Sequence, residues 1–438
     1  MVTLSTIAER YAAAGQAHVL DYYDDLSPSE QEALLTQLDA IPVEQLGTLF
    51  RQAQSSGENA KITPFSGTIG RTSDPQLVAD CRAIGMEAIR KGQVAALVLA
   101  GGQGTRLGFS GPKGMFDMGL PSGRTLFQLI AERLVKLQQL AQAEQPLPLY
   151  VMTSPLNHNE TQDYFAQHAN FGLTDVVFFP QGMLPCLTTN DGKMILEDRH
   201  RVAMAPDGNG GLYPSLAPFL PNLRKRGIDY LHVFSIDNCL TKPADPVFLG
   251  YCIRQHADCG NKVVWKADAH EKVGVVAEKD GRPCVVEYSE ITSEMAERTD
   301  EDGYLVWGAA NICNHFYTVD FLEHTILPNV GNLYHVAHKK IPYYDGQQTV
   351  TPTTHNNGIK LETFIFDVFP LSQNMAILDV DRAEEFAPVK NREGNDSPET
   401  ARALLAQLGQ KWLRAAGRED SVIEVAPCDS YAGEGLEE

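Results

Sequence analysis

The run Leu99-Ala100-Gly101-Gly102-Gln103-Gly104-Thr105-Arg106-Leu107-Gly108, closed by Gly111-Pro112-Lys113-Gly114, holds residue types that bind phosphate. Glycines let backbone N–H groups approach phosphate oxygens with no Cβ in the way. Arg106 and Lys113 add fixed positive charge for a triphosphate. Spacing excludes two other phosphate loops. A Walker A loop requires G-x-x-x-x-G-K-[ST], which does not occur here. A dinucleotide fingerprint requires Gly or Ala where Leu107 stands, and an acid about 20 residues on, which is missing. A second candidate is Asp237, which closes the apolar run 230–236. A carboxylate there suits Mg²⁺ beside phosphates; its alternative is to cap the following turn with Asn238.

These residues need elements to place them. Val94–Ala100 is short, continuous and apolar, as in a strand covered on both faces. Further strands are expected at 148–153, 176–179, 228–236 and 263–266, with helices at 75–91, 125–143 and 159–169. Such alternation implies an α/β fold with a mostly parallel, Rossmann-like sheet, whose ligands sit at the strands' carboxyl ends. Residues 191–201 and 273–288 read as inserted hairpins, the latter turning at Asp280-Gly281. Phe364–Asp367 also reads as a strand. Ser27-Pro28-Ser29-Glu30 starts a helix with a capping box, followed by Leu34, Leu35, Leu38 and Ile41 at helical spacing. Residues 54–75 read as a connecting loop, and 398–416 as the last helix. The expected organisation is a helical N-terminal region (1–92), a catalytic domain (93–370) and a small C-terminal region (371–438).

Composition limits the function further. The chain has 438 residues, 43% of them hydrophobic, enough for a large core. No apolar run approaches the ~20 residues of a membrane span, and the N-terminus lacks the pattern of a signal peptide. A net charge of −20 repels nucleic acid and anionic membranes. Residues 101–124 run against that charge, with Arg106, Lys113 and Arg124 facing one acid, Asp117. None of the eight cysteines has C-x-x-C spacing, so reduced thiols and a cytoplasmic location are expected. His335, His338 and His355 show no metal-ligand spacing and read as structural.

The glycine run with its P-K-G resembles the nucleotide loop of the eukaryotic-type UDP-N-acetylglucosamine pyrophosphorylases, part of the UDP-sugar pyrophosphorylase superfamily. Motifs similar to that family's follow in order: Gln181-Gly182-Met183-Leu184-Pro185, Ala205–Tyr213, Val286–Glu290, Asn357-Gly358-Ile359-Lys360 and Ser430–Leu436. The resemblance covers about residues 90–438. Ala100, where glucose-specific relatives typically have Asn, points to the N-acetylhexosamine branch. The resemblance implies a GT-A-like nucleotidyltransferase. It would form UDP-N-acetylglucosamine and pyrophosphate from UTP and N-acetylglucosamine 1-phosphate, with Mg²⁺ (or Mn²⁺) as cofactor. It assigns Leu99, Gly101, Gly102, Gly104, Thr105, Gln181 and Gly208 to the nucleotide, and Arg106, Lys113 and Lys360 to catalysis. Asn209, Gly274, Glu287, Tyr288 and Asn311 fall to the sugar and Asp237 to the metal. Two alternatives stand beside this reading: wider sugar preference (N-acetylgalactosamine, glucose or galactose 1-phosphate), or a nucleotide-sugar-binding regulator without turnover. Gly308-Ala309-Ala310-Asn311 departs from the family's usual Asn-Ala-Gly-Asn. Where the family continues past Ser430–Leu436 into further β structure, this chain stops at Glu438, so a shortened C-terminal region is expected.

Overall fold

The computed structural model describes residues 3–55, 60–352, 354–418 and 423–437. The chain forms two compact units. One comprises Met1–Asn59, Gln181–Pro214 and Pro328–Asp367; the other comprises Ala60–Pro180, Ser215–Leu327 and Val368–Glu438.

The second unit is built on a twisted sheet. Its strand order is Ile69–Arg71, Met375–Val380, Cys259–Trp265, Ala309–Thr318, Tyr230–Ser235, Val94–Leu99, Leu149–Thr153, Val176–Pro180. All neighbours pair in parallel except Ala309–Thr318, which runs antiparallel to both of its own. Every residue of Val94–Leu99 is buried, as its unbroken apolar run predicts. The hairpin Val275–Lys279 and Arg282–Val286 joins this sheet through Ala310. Its turn residues Asp280 and Gly281 both have positive φ, 50° and 73°, the geometry that tight hairpins favour. Helices Pro75–Arg90 and Pro246–Arg254 cross almost backbone to backbone. A Cβ on Gly85 would lie 1.9 Å from the Pro246 carbonyl oxygen, and one on Gly250 would lie 1.7 Å from that of Cys81.

The first unit packs the helices Leu4–Ala13, Pro28–Ala40 and Val43–Ser55 against small sheets. Ile7, Leu34, Leu38 and Leu46 share a core with Leu187, Val202 and Ile359. The capping box forms: the Ser27 N–H donates to the Glu30 carboxylate at 2.8 Å. Gly358–Glu362 is the middle strand of a three-stranded sheet.

Several expectations are corrected. Residues 54–75 include two short strands, Ile62–Pro64 and Ile69–Arg71, whose partners lie more than 200 residues away. Phe364–Asp367 is not a strand: Ile365–Leu371 forms a 3₁₀ helix, started by the Asp367 carboxylate accepting from the Phe364 N–H. Boundaries at 92 and 370 do not separate the two units. Met375–Val380 completes the central sheet, so 371–438 belongs to the unit that carries the glycine loop. Long-range strand pairing, invisible to local pattern, makes that assignment.

Candidate active site

In the second unit the parallel strands Val94–Leu99 and Tyr230–Ser235 end side by side, with Leu99 paired to Ser235. Their continuations form the site. Beyond Leu99 the glycine run folds back on itself. The Gly104 N–H donates to the Gly111 carbonyl at 3.0 Å and the Lys113 N–H to that of Gly102 at 3.1 Å. A Cβ on Gly104 would lie 2.7 Å from the Phe109 ring, so the fold back needs glycine there. The N–H groups of Gly101, Gly102, Gln103, Thr105 and Arg106 meet no acceptor among the described residues. Exposed Gly102, Thr105 and Arg106 make this a ready anion site.

Lys113 is buried and its Nζ lies 2.5 Å from Asp237 Oδ1. Asp237 leaves its strand half-buried, at 30% side-chain exposure. It does not cap the turn; Asn238 does, its Oδ1 accepting from the N–H groups of Leu240 and Ala387. Buried Arg133 braces the same turn by donating to the Cys239 and Thr241 carbonyls at 2.6 and 3.0 Å. Arg133 carried no motif, and only its place on an otherwise apolar helix face marked it. Arg124 leaves the basic island, because it pairs with Glu132 and Glu424. Arg106 has no ion-pair partner among the described residues.

The same unit holds four of the five residues assigned to the sugar. The Asn311 N–H donates to the Gly274 carbonyl at 2.9 Å. A Cβ on Gly274 would stand 3.3 Å from Glu287 Oε1, so these groups cluster where the hairpin meets the sheet. Partial burial, then the nearby Glu290 charge, raises the Glu287 carboxyl above its ordinary value. Tyr288 beside it is 48% exposed. Gly308 is explained by packing: a Cβ there would lie 2.1 Å from Trp265 Nε1, which leaves no room for Asn.

Gln181, Gly208, Asn209 and Lys360 belong to the first unit. Gln181 Nε2 donates to the Gly208 carbonyl at 3.2 Å and to Asp207 Oδ1 at 3.5 Å. Gly208 has φ +87°, and a Cβ on it would lie 2.2 Å from the Thr363 carbonyl oxygen. Asp207 is 4% exposed, and burial pushes its carboxyl up to about 6, against the lowering effect of Gln181. Asn209 Oδ1 accepts from the Ile365 N–H at 2.9 Å, so one end of that amide is committed to the backbone. Lys360 stands half-buried on the middle strand, opposite Ala337.

Among the described residues no three His, Cys, Asp or Glu side chains group as a metal site. Asp237 nevertheless fits Mg²⁺, which is commonly held by one or two carboxylates plus substrate phosphates.

The family model described as UTP–glucose-1-phosphate uridylyltransferase matches residues 68–409. The chain is 42% identical to human UDP-N-acetylhexosamine pyrophosphorylase-like protein 1, over 100% of this chain and 95% of that protein. It is 41% identical to the UDP-N-acetylglucosamine pyrophosphorylase of Saccharomyces cerevisiae, over 97% of this chain and 95% of that one. The crystal structure of the Trypanosoma brucei uridine diphosphate N-acetylglucosamine pyrophosphorylase superposes with a TM-score of 0.89 at 32% identity, covering 100% and 94% of the two chains. With its glycine loop on a nucleotidyltransferase fold, the chain belongs to the UTP–glucose-1-phosphate uridylyltransferase family.

Proposed function

We propose that the protein joins UTP to N-acetylglucosamine 1-phosphate, releasing pyrophosphate and forming UDP-N-acetylglucosamine in a reversible uridylyl transfer. The observation that carries this reading is the loop 101–106. It holds N–H donors that meet no acceptor among the described residues, after a buried strand, with Lys113 and Asp237 beside it, in a chain about 40% identical over its full length to named UDP-N-acetylglucosamine pyrophosphorylases.

The sugar phosphate is already an anion near neutral pH, so no general base is needed. Its oxygen attacks the α-phosphorus in line, and the P–O bond to pyrophosphate breaks. The obstacle is the mutual repulsion of anions, so catalysis is positioning and charge neutralisation. The loop N–H groups, Arg106 and Lys113 hold the triphosphate; Lys360 neutralises charge that develops at the α-phosphate. Gln181 and Gly208 read the uracil, and Gly274, Glu287, Tyr288, Asn209 and Asn311 engage the sugar. Mg²⁺ or Mn²⁺, when bound at Asp237 and the phosphates, supplies further neutralisation.

A second reading, wider sugar tolerance, rests on the departure at Gly308-Ala309-Ala310-Asn311, where the Trp265 ring fills the space that a side chain at 308 would need. Pyrophosphate release, measured with UTP and each of N-acetylglucosamine, N-acetylgalactosamine, glucose and galactose 1-phosphate, decides between them. Fastest release with N-acetylglucosamine 1-phosphate supports the main reading. Comparable rates with all four would replace it, and UTP binding without release from any of them would indicate a non-catalytic sensor.

A further inference from the structure

We propose that Asn157 is a positioning residue that sets the glycine loop in its phosphate-binding form; the inference rests on the reading of that loop as the UTP site. Asn157 lies beyond the strand Leu149–Thr153, just before the helix His158–Gln167, and is 1% exposed. Its Nδ2 donates to the Ala100 carbonyl at 3.1 Å and, more weakly, to that of Gly102 at 3.4 Å. Its Oδ1 accepts from the Ser154 N–H at 2.8 Å and the Ser154 hydroxyl at 3.1 Å. The amide is therefore pinned at both ends, and its orientation is fixed.

A trans peptide group is planar, with C=O and the next N–H pointing opposite ways. Holding the Ala100 carbonyl toward Asn157 turns the Gly101 N–H away from it. Holding the Gly102 carbonyl does the same for the Gln103 N–H. Neither N–H meets an acceptor among the described residues. Glycine peptides left free would sample many orientations, and that freedom would be lost again on binding. One buried side chain removes it in advance. A primary amide has two N–H donors for the two carbonyls, a hydroxyl has one, and a carboxylate has none.

The test compares wild type with Asn157→Ser, Asn157→Ala and Asn157→Asp by steady-state kinetics, calorimetric UTP binding and thermal unfolding. The KM and Kd for UTP are expected to rise in the order wild type, Ser, then Ala and Asp. The Ala variant should lose about tenfold, as two modest hydrogen bonds require, with the KM for the sugar phosphate within about twofold. A merely structural role would weaken both substrates alike and track the thermal midpoint. That result would overturn the inference, as would unchanged UTP affinity in the Ala and Asp variants. If the Ala variant does not fold, the Ser variant and its UTP Kd give the same comparison. Wild type that binds UTP without releasing pyrophosphate would refute the catalytic reading and leave this one to the binding measurement.

Discussion

Lys113 and Asp237 form the ion pair on which the chemistry proposed for the loop rests. Removing Lys113 deletes the buried cation proposed to hold the triphosphate and takes from Asp237 its ion-pair partner. Lys113→Ala is expected to lower kcat by about 10²–10³, the scale found when one preorganised donor is lost, with the fold retained by circular dichroism. Near-normal pyrophosphate release by this variant would remove the assignment. Asp207 gives a pH signature. Burial raises its carboxyl from 3.8 to about 6, so between those values the folded chain binds more protons than the unfolded one. Stability conferred by this group is full below about pH 4 and is lost as pH rises through 6, by up to about 3 kcal/mol. In urea unfolding from pH 4 to 7, Asp207→Asn should be progressively more stable than wild type as pH rises. A variant-to-wild-type difference that stays flat over that range would refute the raised value.

At the scale of elements, the carboxyl edge of the sheet places the glycine loop and Asp237 side by side, and glycines let the supporting helices approach. The helix pair Pro75–Arg90 and Pro246–Arg254 tolerates no side chain at either crossing. Gly85→Ala and Gly250→Ala are each expected to cost at least the 1–3 kcal/mol typical of overpacking, read as a lowered thermal midpoint. Gly281→Ala is the comparison, since nothing lies within 4 Å of its Cβ position and only its positive φ opposes the change. Equal midpoints for Gly85→Ala and wild type would contradict the close crossing.

Taken as a whole molecule, the second unit depends on its last residues. Tyr431 is 1% exposed, sits in the main core, and its hydroxyl donates to the Pro243 carbonyl at 3.1 Å. Tyr431→Phe should lose about 1 kcal/mol, one hydrogen bond's net contribution. A chain ending at Ala416 removes the ring altogether and should unfold at a clearly lower temperature, or fail to accumulate as folded protein. A truncated chain as stable as the full one would show that the segment is an appendage. Buried charge also ties distant segments. Lys262, fully buried, reaches Asp245 at 2.5 Å and Glu385 at 2.8 Å. Burial opposes ionisation of Asp245, yet Lys262 and Lys242 outweigh it and hold the carboxyl below its ordinary value.

The sequence by itself determined the local parts. Val94–Leu99 declares a buried strand because every residue is apolar, and the glycine run declares its loop because few other residues tolerate that backbone. Asp280-Gly281 and Ser27–Glu30 are legible for the same reason: their physics is contained within a few residues. Tertiary structure decided the rest. Ile62–Pro64 and Ile69–Arg71 are too short to register without partners more than 200 residues away. Met375–Val380 looks like any apolar strand until its pairing with Cys259–Trp265 assigns it to the central sheet. Asn157, Arg133 and Asn238 each act through two hydrogen bonds to backbone carbonyls or N–H groups far along the chain, which leave no periodicity to read. Arg124 counted as a free cation until Glu424, 300 residues on, arrived beside it. Propensity and turn chemistry are local quantities, whereas pairing, burial and charge compensation exist only once distant segments have met.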